Sequence, residues 1–322
     1  MKLPYRCLFL LPVFLISLGI AQEPGKEKGK AKPAAEPAPF SWVSPIPGNR
    51  LAQAKLPEGV QHATFRSASM GIEVGYYIYL PPGYQDAANA EARYPVVYHL
   101  HGGRPGGEFK SVTLSRFVDA AVRAGEIAPT IYVFPNGGPM SWYNYPQIEN
   151  GQGEDVFVKE LIPHIDATYR TRGQKGRAIE GYSQGGRGTT RILFQFPEMF
   201  VSAAPGGSGY GPEKVVQEHG GAESETVKFA PGHNAWDLAA AFAKRGANRP
   251  ALPILIWDGT ECFNYEDNLK FSAYLKELGI PHDLMIIDGV GHTAVGSYGK
   301  KGLELMRWHQ ANFARAASVS KP

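Results

Sequence analysis

Ile179-Glu180-Gly181-Tyr182-Ser183-Gln184-Gly185-Gly186 is a β-prone run that turns into a helical one, with a serine at the corner between two glycines. A serine in such a G-x-S-x-G elbow is held in a strained turn that lifts its hydroxyl out of the sheet. Both glycines are needed, because a Cβ at either position would crowd the adjoining strand or helix. The following helix points its N-terminus at the hydroxyl and favours negative charge developing there. Ser183 is therefore the expected nucleophile.

On either side of this stretch, strands alternate with helices. Ile72 to Leu80, Tyr94 to Leu100, Thr130 to Phe134, Ala178 to Glu180, Val201 to Ala204, Leu252 to Trp257 and Leu284 to Ile287 are short β-prone runs, most of them ended by Gly, Pro or Asn. Helical periodicity is expected over Leu114 to Ala124, Glu154 to Tyr169, Thr189 to Phe194, Trp236 to Lys244 and Asn268 to Leu278. This spacing predicts an α/β protein: a mostly parallel central sheet with helices on both faces and ligands at the carboxyl ends of the strands.

The polar residues with chemical potential sit at those strand ends. His99-Leu100-His101-Gly102-Gly103 closes one strand with an H-G-G turn, the kind that presents a backbone N–H to a nucleophile. The N–H groups of Gly103 and Gln184 are the expected oxyanion hole, with Arg104 an alternative donor to Gly103. His101 is expected to shape the turn and not to move protons. Gly291-His292 follows a late β-prone run, and among the nine histidines His292 alone has both the strand-end position and the chain order of a general base. His62, His164, His219, His233, His282 and His309 are read as surface or capping residues. An acid to orient His292 belongs in the turn from Asp258 to Asn268.

Tyr79-Leu-Pro-Pro-Gly-Tyr84, His99-Leu-His-Gly-Gly103, Val133-Phe-Pro-Asn-Gly-Gly138, Glu160-Leu-Ile-Pro-His-Ile-Asp166 and Glu180-Gly-Tyr-Ser-Gln-Gly-Gly186, with Gly291-His292, occur in one order. From about Ala63 to Phe313 the chain resembles the putative esterase family, which is similar to feruloyl esterases, acetylxylan esterases, the esterase D group and mycolyltransferases. The resemblance implies an α/β-hydrolase fold and ester hydrolysis, commonly on acylated plant polysaccharides, with Ser183 as nucleophile and His292 as base. The family turn usually reads Gly-Thr-x-Asp-Phe, so its aspartate falls on Cys262 here. A thiol of ordinary acidity is mostly neutral at pH 7 and stabilises an imidazolium poorly. Glu261, one position earlier and longer, is the first expectation for the acid, and Asp258 the second.

Two further segments are expected to shape the substrate site. Met140-Ser-Trp-Tyr-Asn-Tyr145 brings Trp142, Tyr143 and Tyr145 together, either to stack on sugar rings or phenolic acyl groups or to plug the space beneath a loop. Residues 205–236 read as a lid.

Met1 to Ala21 carries Lys2 and Arg6, an apolar run interrupted by Pro12, and a small-x-small exit, which is the pattern of a secretory signal. Residues 22–40 read as a disordered linker rich in Pro, Ala and Lys, residues 41–316 as the hydrolase domain and 317–322 as a tail. The expected location is periplasmic or extracellular, off the membrane once the signal is removed. Setting aside two basic residues in 1–21, and four basic and three acidic ones in 22–40, leaves 27 of each sign and no basic footprint for nucleic acid. No cofactor is expected. A metal centre on His99 and His101 lacks third and fourth ligands, and Ser297-Tyr-Gly-Lys300 lacks the K-T-G that a penicillin-recognising site needs. The expected function is a secreted serine esterase acting on small-molecule or polysaccharide esters. The competing readings are an acyltransferase and a non-catalytic carbohydrate-binding protein on an eroded hydrolase fold.

Overall fold

Successive side chains of a strand point to opposite faces, and the central strands of this chain are apolar on both. In β3 (Val96–Leu100) Val96, Tyr98 and Leu100 enter one core and Val97 the other. In β4 (Ile131–Pro135) Ile131 and Val133 part from Tyr132 and Phe134 in the same way. A sheet with two apolar faces has to be covered twice, and parallel strands joined by helical crossovers supply both covers. The computed structural model, which describes residues 40–44, 55–211, 213, 230 and 232–319, has this α/β architecture.

Six further strands complete the sheet: β1 (Val60–Arg66), β2 (Glu73–Tyr79), β5 (Arg177–Tyr182), β6 (Ser202–Gly206), β7 (Leu255–Gly259) and β8 (Asp283–Ile287). Their order is β1-β2-β4-β3-β5-β6-β7-β8. The β1–β2 and β2–β4 pairs are antiparallel, and every pair from β4 to β8 is parallel. One face carries α1 (Ser115–Arg123) and the long α6 (Ala294–Val319), through Val118, Ala121, Tyr298, Leu305, Met306 and Phe313. The other carries α2, which runs through Gly153–Asp155, a π-helical stretch Val156–Leu161 and Ile162–Thr168, followed by α3 (Gln184–Gln195), α4 (Ala235–Ala243) and α5 (Tyr265–Glu277).

β1 and α6 were not expected from the sequence. β1 is an edge strand with Gln61, His62, Thr64 and Arg66 among its seven residues, so it lacks an apolar run. Gly296, Gly299 and Gly302 interrupt the first turns of α6, and α6 continues to Val319 through the first residues of the expected tail. Residues 1–39, which hold the expected signal and nearly all of the expected linker, lie outside the described residues, as does most of the expected lid. Pro205 and Gly206 belong to β6, and Ala235 and Trp236 to α4.

Beneath the elbow, on the α6 side, the wholly buried Glu180 of β5 ties four elements together. Its Oε1 accepts from His99 Nδ1 of β3 at 2.7 Å and from the Tyr298 hydroxyl of α6. Its Oε2 lies 3.3 Å from His309 Nε2 of α6, whose Nδ1 is 2.8 Å from Ser202 Oγ of β6. Burial pushes the Glu180 carboxyl up, but hydrogen bonds from His309 and His99 outweigh it and bring it down to about 2. His309, expected on the surface, is thus a core residue at 1% exposure. Glu180→Ala strands two imidazoles without their carboxylate, so urea unfolding should show a loss of about 3–5 kcal/mol. A loss below about 1 kcal/mol would mean that the cluster does not hold the sheet.

Candidate active site

β5 ends at Tyr182 and α3 begins at Gln184, leaving Ser183 as the whole of the turn, at φ 59° and ψ −120°. Few L residues adopt that angle, and those that do are held by their surroundings. Here Ser183 N–H donates to Gly206 O at 2.8 Å, pinning the turn to β6. A Cβ on Gly181 would come 2.5 Å from Gly185 O, and one on Gly185 would come 1.9 Å from Leu100 O. Strand and helix therefore meet at a separation only glycine permits.

β8 is followed by the Gly291-His292 turn, which brings His292 Nε2 within 2.9 Å of Ser183 Oγ. The imidazole lies between two aromatic rings, with Tyr182 at 5.0 Å and Phe263 at 4.2 Å between centroids. Phe263 is 77% exposed, the most open large apolar side chain among the described residues. Burial lowers the His292 pKa below that of a free imidazole; the Asp258 charge raises it and Arg187 lowers it further. At neutral pH its imidazole is therefore unprotonated.

On the far side of the ring, Cys262 Sγ lies 3.0 Å from His292 Nδ1. Glu261, the first expectation for the acid, is exposed, and its carboxylate has no hydrogen bond among the described residues. The turn explains this correction. Glu261 N–H bonds Val290 O and Cys262 N–H bonds Gly259 O, which aims Cys262 inward and leaves Glu261 facing solvent. Asp258, the second expectation, is 1% exposed and lies behind the thiol. Its carboxylate accepts from Gly259 N–H at 2.8 Å and from the Asn268 side chain. Burial and the Asp258 charge push the Cys262 thiol up to about 11, so it carries its proton at neutral pH.

Gln184 opens α3, and the first N–H groups of a helix have no partner within it. The turn after β3 passes beside Ser183: a Cβ on Gly102 would lie 3.1 Å from Ser183 Cβ and 3.7 Å from Ser183 Oγ. Gly103 sits at φ 72°, and its carbonyl accepts from Ser141 Oγ at 2.7 Å. Gly103 and Gln184, the expected oxyanion-hole residues, lie on these two segments. His101 organises the turn from beneath. Its Nε2 accepts from the N–H groups of Gly107 and Gly137, each at 3.2 Å, and its Nδ1 donates to Gly102 O at 3.0 Å. Burial and the Lys110 charge push it down to about 3, so it stays neutral. His99 is spent on Glu180, and no group of three metal-ligating side chains occurs among the described residues.

The aromatic segment is buried in its loop, which fits the second of the two readings, a plug. Trp142 is wholly buried, its ring tilted against the His101 ring at 4.7 Å between centroids, with its Nε1–H donated to His101 O at 2.9 Å. Tyr143 and Tyr145 are buried with Met140, and Tyr143 Oη accepts from Ala230 N–H at 2.5 Å. The loop Ser141-Trp142, at φ 41° and 69°, folds inward and takes these rings away from solvent. Phe263, which the sequence reading passed over, is the exposed ring beside the base.

Residues 67–278 match the family described as "Putative esterase". Esterase Rv1288 of Mycobacterium tuberculosis is 30% identical over 160 residues, 48% of this chain and 33% of that protein. An endo-1,4-beta-xylanase/feruloyl esterase of Xylanibacter ruminicola is 32% identical over 163 residues, 48% of this chain and 22% of that protein. The chain thus spans a third or less of the length of these curated relatives. Among solved structures, a ferulic acid esterase superposes with TM-score 0.62 at 22% identity, covering 79% of this chain and 98% of that one. An S-formylglutathione hydrolase from Agrobacterium tumefaciens superposes with TM-score 0.61 at 19% identity, covering 79% and 95%. These neighbours share the α/β fold, and with two thirds of its length matched, the chain belongs to the putative esterase family.

Proposed function

We propose that this protein is a secreted serine esterase that hydrolyses carboxylic esters, its substrates being acetyl or feruloyl groups carried by polysaccharides. The observation that carries this reading is the 2.9 Å contact of Ser183 Oγ with His292 Nε2, across 109 residues of chain, at a positive-φ elbow. As Oγ attacks the ester carbonyl carbon, Nε2 takes its proton, and the tetrahedral oxyanion is received by the N–H groups of Gln184 and Gly103. Collapse breaks the bond to the alcohol oxygen, which leaves with the imidazolium proton. Water then attacks the acyl-serine, giving its proton to His292, and the acid departs as Oγ is reprotonated.

The feruloyl side of the reading is supported by the names of two relatives and by Phe263, whose open face beside His292 suits a phenolic ring. The secretory pattern of residues 1–21 supports export. Burial of Trp142, Tyr143 and Tyr145 removes the stacking surface that a purely carbohydrate-binding protein would need.

Ser183→Ala should lower kcat on p-nitrophenyl acetate by at least about 10³-fold and abolish labelling by a fluorophosphonate probe. Retained turnover and labelling would refute the serine mechanism. His292 acts only when unprotonated, and its pKa lies below the ordinary imidazole value. The acid limb of kcat/KM should therefore have its midpoint below about pH 6.5, with activity nearly flat from there to pH 8. Phe263→Ala should raise KM for methyl ferulate about 2- to 10-fold while leaving p-nitrophenyl acetate nearly unchanged, as expected for loss of a ring–ring contact. Equal effects on both substrates would remove Phe263 from acyl recognition.

A further inference from the structure

The residue that meets His292 from behind is a thiol, and a buried carboxylate stands behind the thiol. We propose that the acid function of this site is divided between Cys262 and Asp258: the sulfur accepts the Nδ1–H of His292 while the thiol S–H is donated to the Asp258 carboxylate. This inference rests on the Ser183–His292 reading and goes beyond it, since it assigns the group that orients the base.

Three observations point to this arrangement. Sγ is 3.0 Å from Nδ1, within reach for a sulfur acceptor. The Asp258 carboxylate is 1% exposed and fixed by Gly259 N–H and the Asn268 amide, both of which bond its charged form. Cys262 N–H closes a turn onto Gly259 O at the end of β7, and both the thiol and the Asp258 side chain are buried there. A protonated thiol is the species that can accept from one neighbour and donate to the other, and burial together with the Asp258 charge keeps this one protonated.

The arrangement does the two things asked of a directly bonded acid, one fully and one weakly. It fixes the Nδ1–H tautomer, because the S–H is committed to Asp258 and the sulfur can only accept. It also places a negative charge on the imidazolium's side, though one side chain further away. No bond to hydrogen breaks at this end of the chain; the thiol transmits polarisation and its proton stays on sulfur. The charged and titratable groups facing His292 are Asp258 from β7, Arg187 from α3, Tyr182 from β5 and Cys262 itself. Asp258 is the one anion among them, so it is the source of any field that favours the imidazolium. Cys262 and Asp258 are positioning residues, and Ser183 and His292 remain the groups that touch the ester.

The test is a kcat/KM pH profile on p-nitrophenyl acetate for the full chain and for C262A, C262S, D258N, C262A/D258N and C262D/D258N, with thermal melting and fluorophosphonate labelling as folding controls. A hydroxyl also accepts and donates, so C262S should stay within about tenfold of the unchanged protein. C262A and D258N should each lower kcat more than KM changes, by between about tenfold and the ~10⁴-fold cost of losing a directly bonded acid. The C262A/D258N double variant should be no worse than the poorer single one, because both break one chain of bonds. C262D/D258N puts a carboxylate straight onto Nδ1; it should recover activity over D258N alone and move the acid limb to higher pH. Wild-type rates in D258N, multiplying losses in the double variant, or no recovery in C262D/D258N would each overturn the relay. A Ser183→Ala variant that kept its activity would instead overturn the esterase mechanism on which the relay rests, so the two failures are separable.

Discussion

The angle of φ 59° at Ser183 is the constraint around which the site is assembled. An L residue at that angle costs of order 1–3 kcal/mol unless its surroundings hold it. The surroundings here are the backbone contacts across Gly181 and Gly185 and the bond from Ser183 N–H to Gly206 O. Three neighbouring strands, β3, β5 and β6, thus converge on a single residue. With that residue fixed, the helix N-terminus, the glycine turn after β3 and the imidazole after β8 all face the same hydroxyl. The two cores on either face supply the rigidity, and the site spends it at one point.

Electrically the site is nearly neutral at rest. His292 is unprotonated, Cys262 keeps its proton, His101 is neutral and the nearest anion is Asp258, behind the sulfur. Coulomb attraction falls with distance, so a carboxylate one side chain removed stabilises an imidazolium less than one in contact. Any basicity that His292 gains from Asp258 is therefore smaller than direct pairing would give.

The mostly parallel sheet with helices on both faces, the elbow and the Ser183–His292 pair were legible because each rests on local chemistry: short β-prone runs ended by breakers, two glycines around a serine, a histidine after the last strand. β1 was hidden because an edge strand need not be apolar, and α6 because glycines blur its first turns while its contacts are made far along the chain. Choosing Glu261 over Cys262 weighed side-chain chemistry correctly and backbone direction not at all; neighbouring residues in a tight turn face opposite ways, and only the bonds to Val290 and Gly259 settle which faces in. For the aromatic segment the sequence left a stacking surface and a plug equally open, since the positive φ of Ser141 and Trp142 that turns the rings inward leaves no mark on composition. His309 looked like a surface residue because its partner, Glu180, could not be seen to be buried.

Glu180 has a consequence for how the molecule must be made. Its carboxylate lies one strand position before the elbow glycine, yet the Tyr298 hydroxyl that binds it is 118 residues further along, and His309 is later still. While the polypeptide emerges from a ribosome or threads through a translocation pore, β5 can pair with β3 long before α6 exists. Until that last helix arrives the charge must stay hydrated, and β5 cannot close its α6-facing side. The strand that carries Ser183 is therefore made well before the helix that seals its α6-facing side.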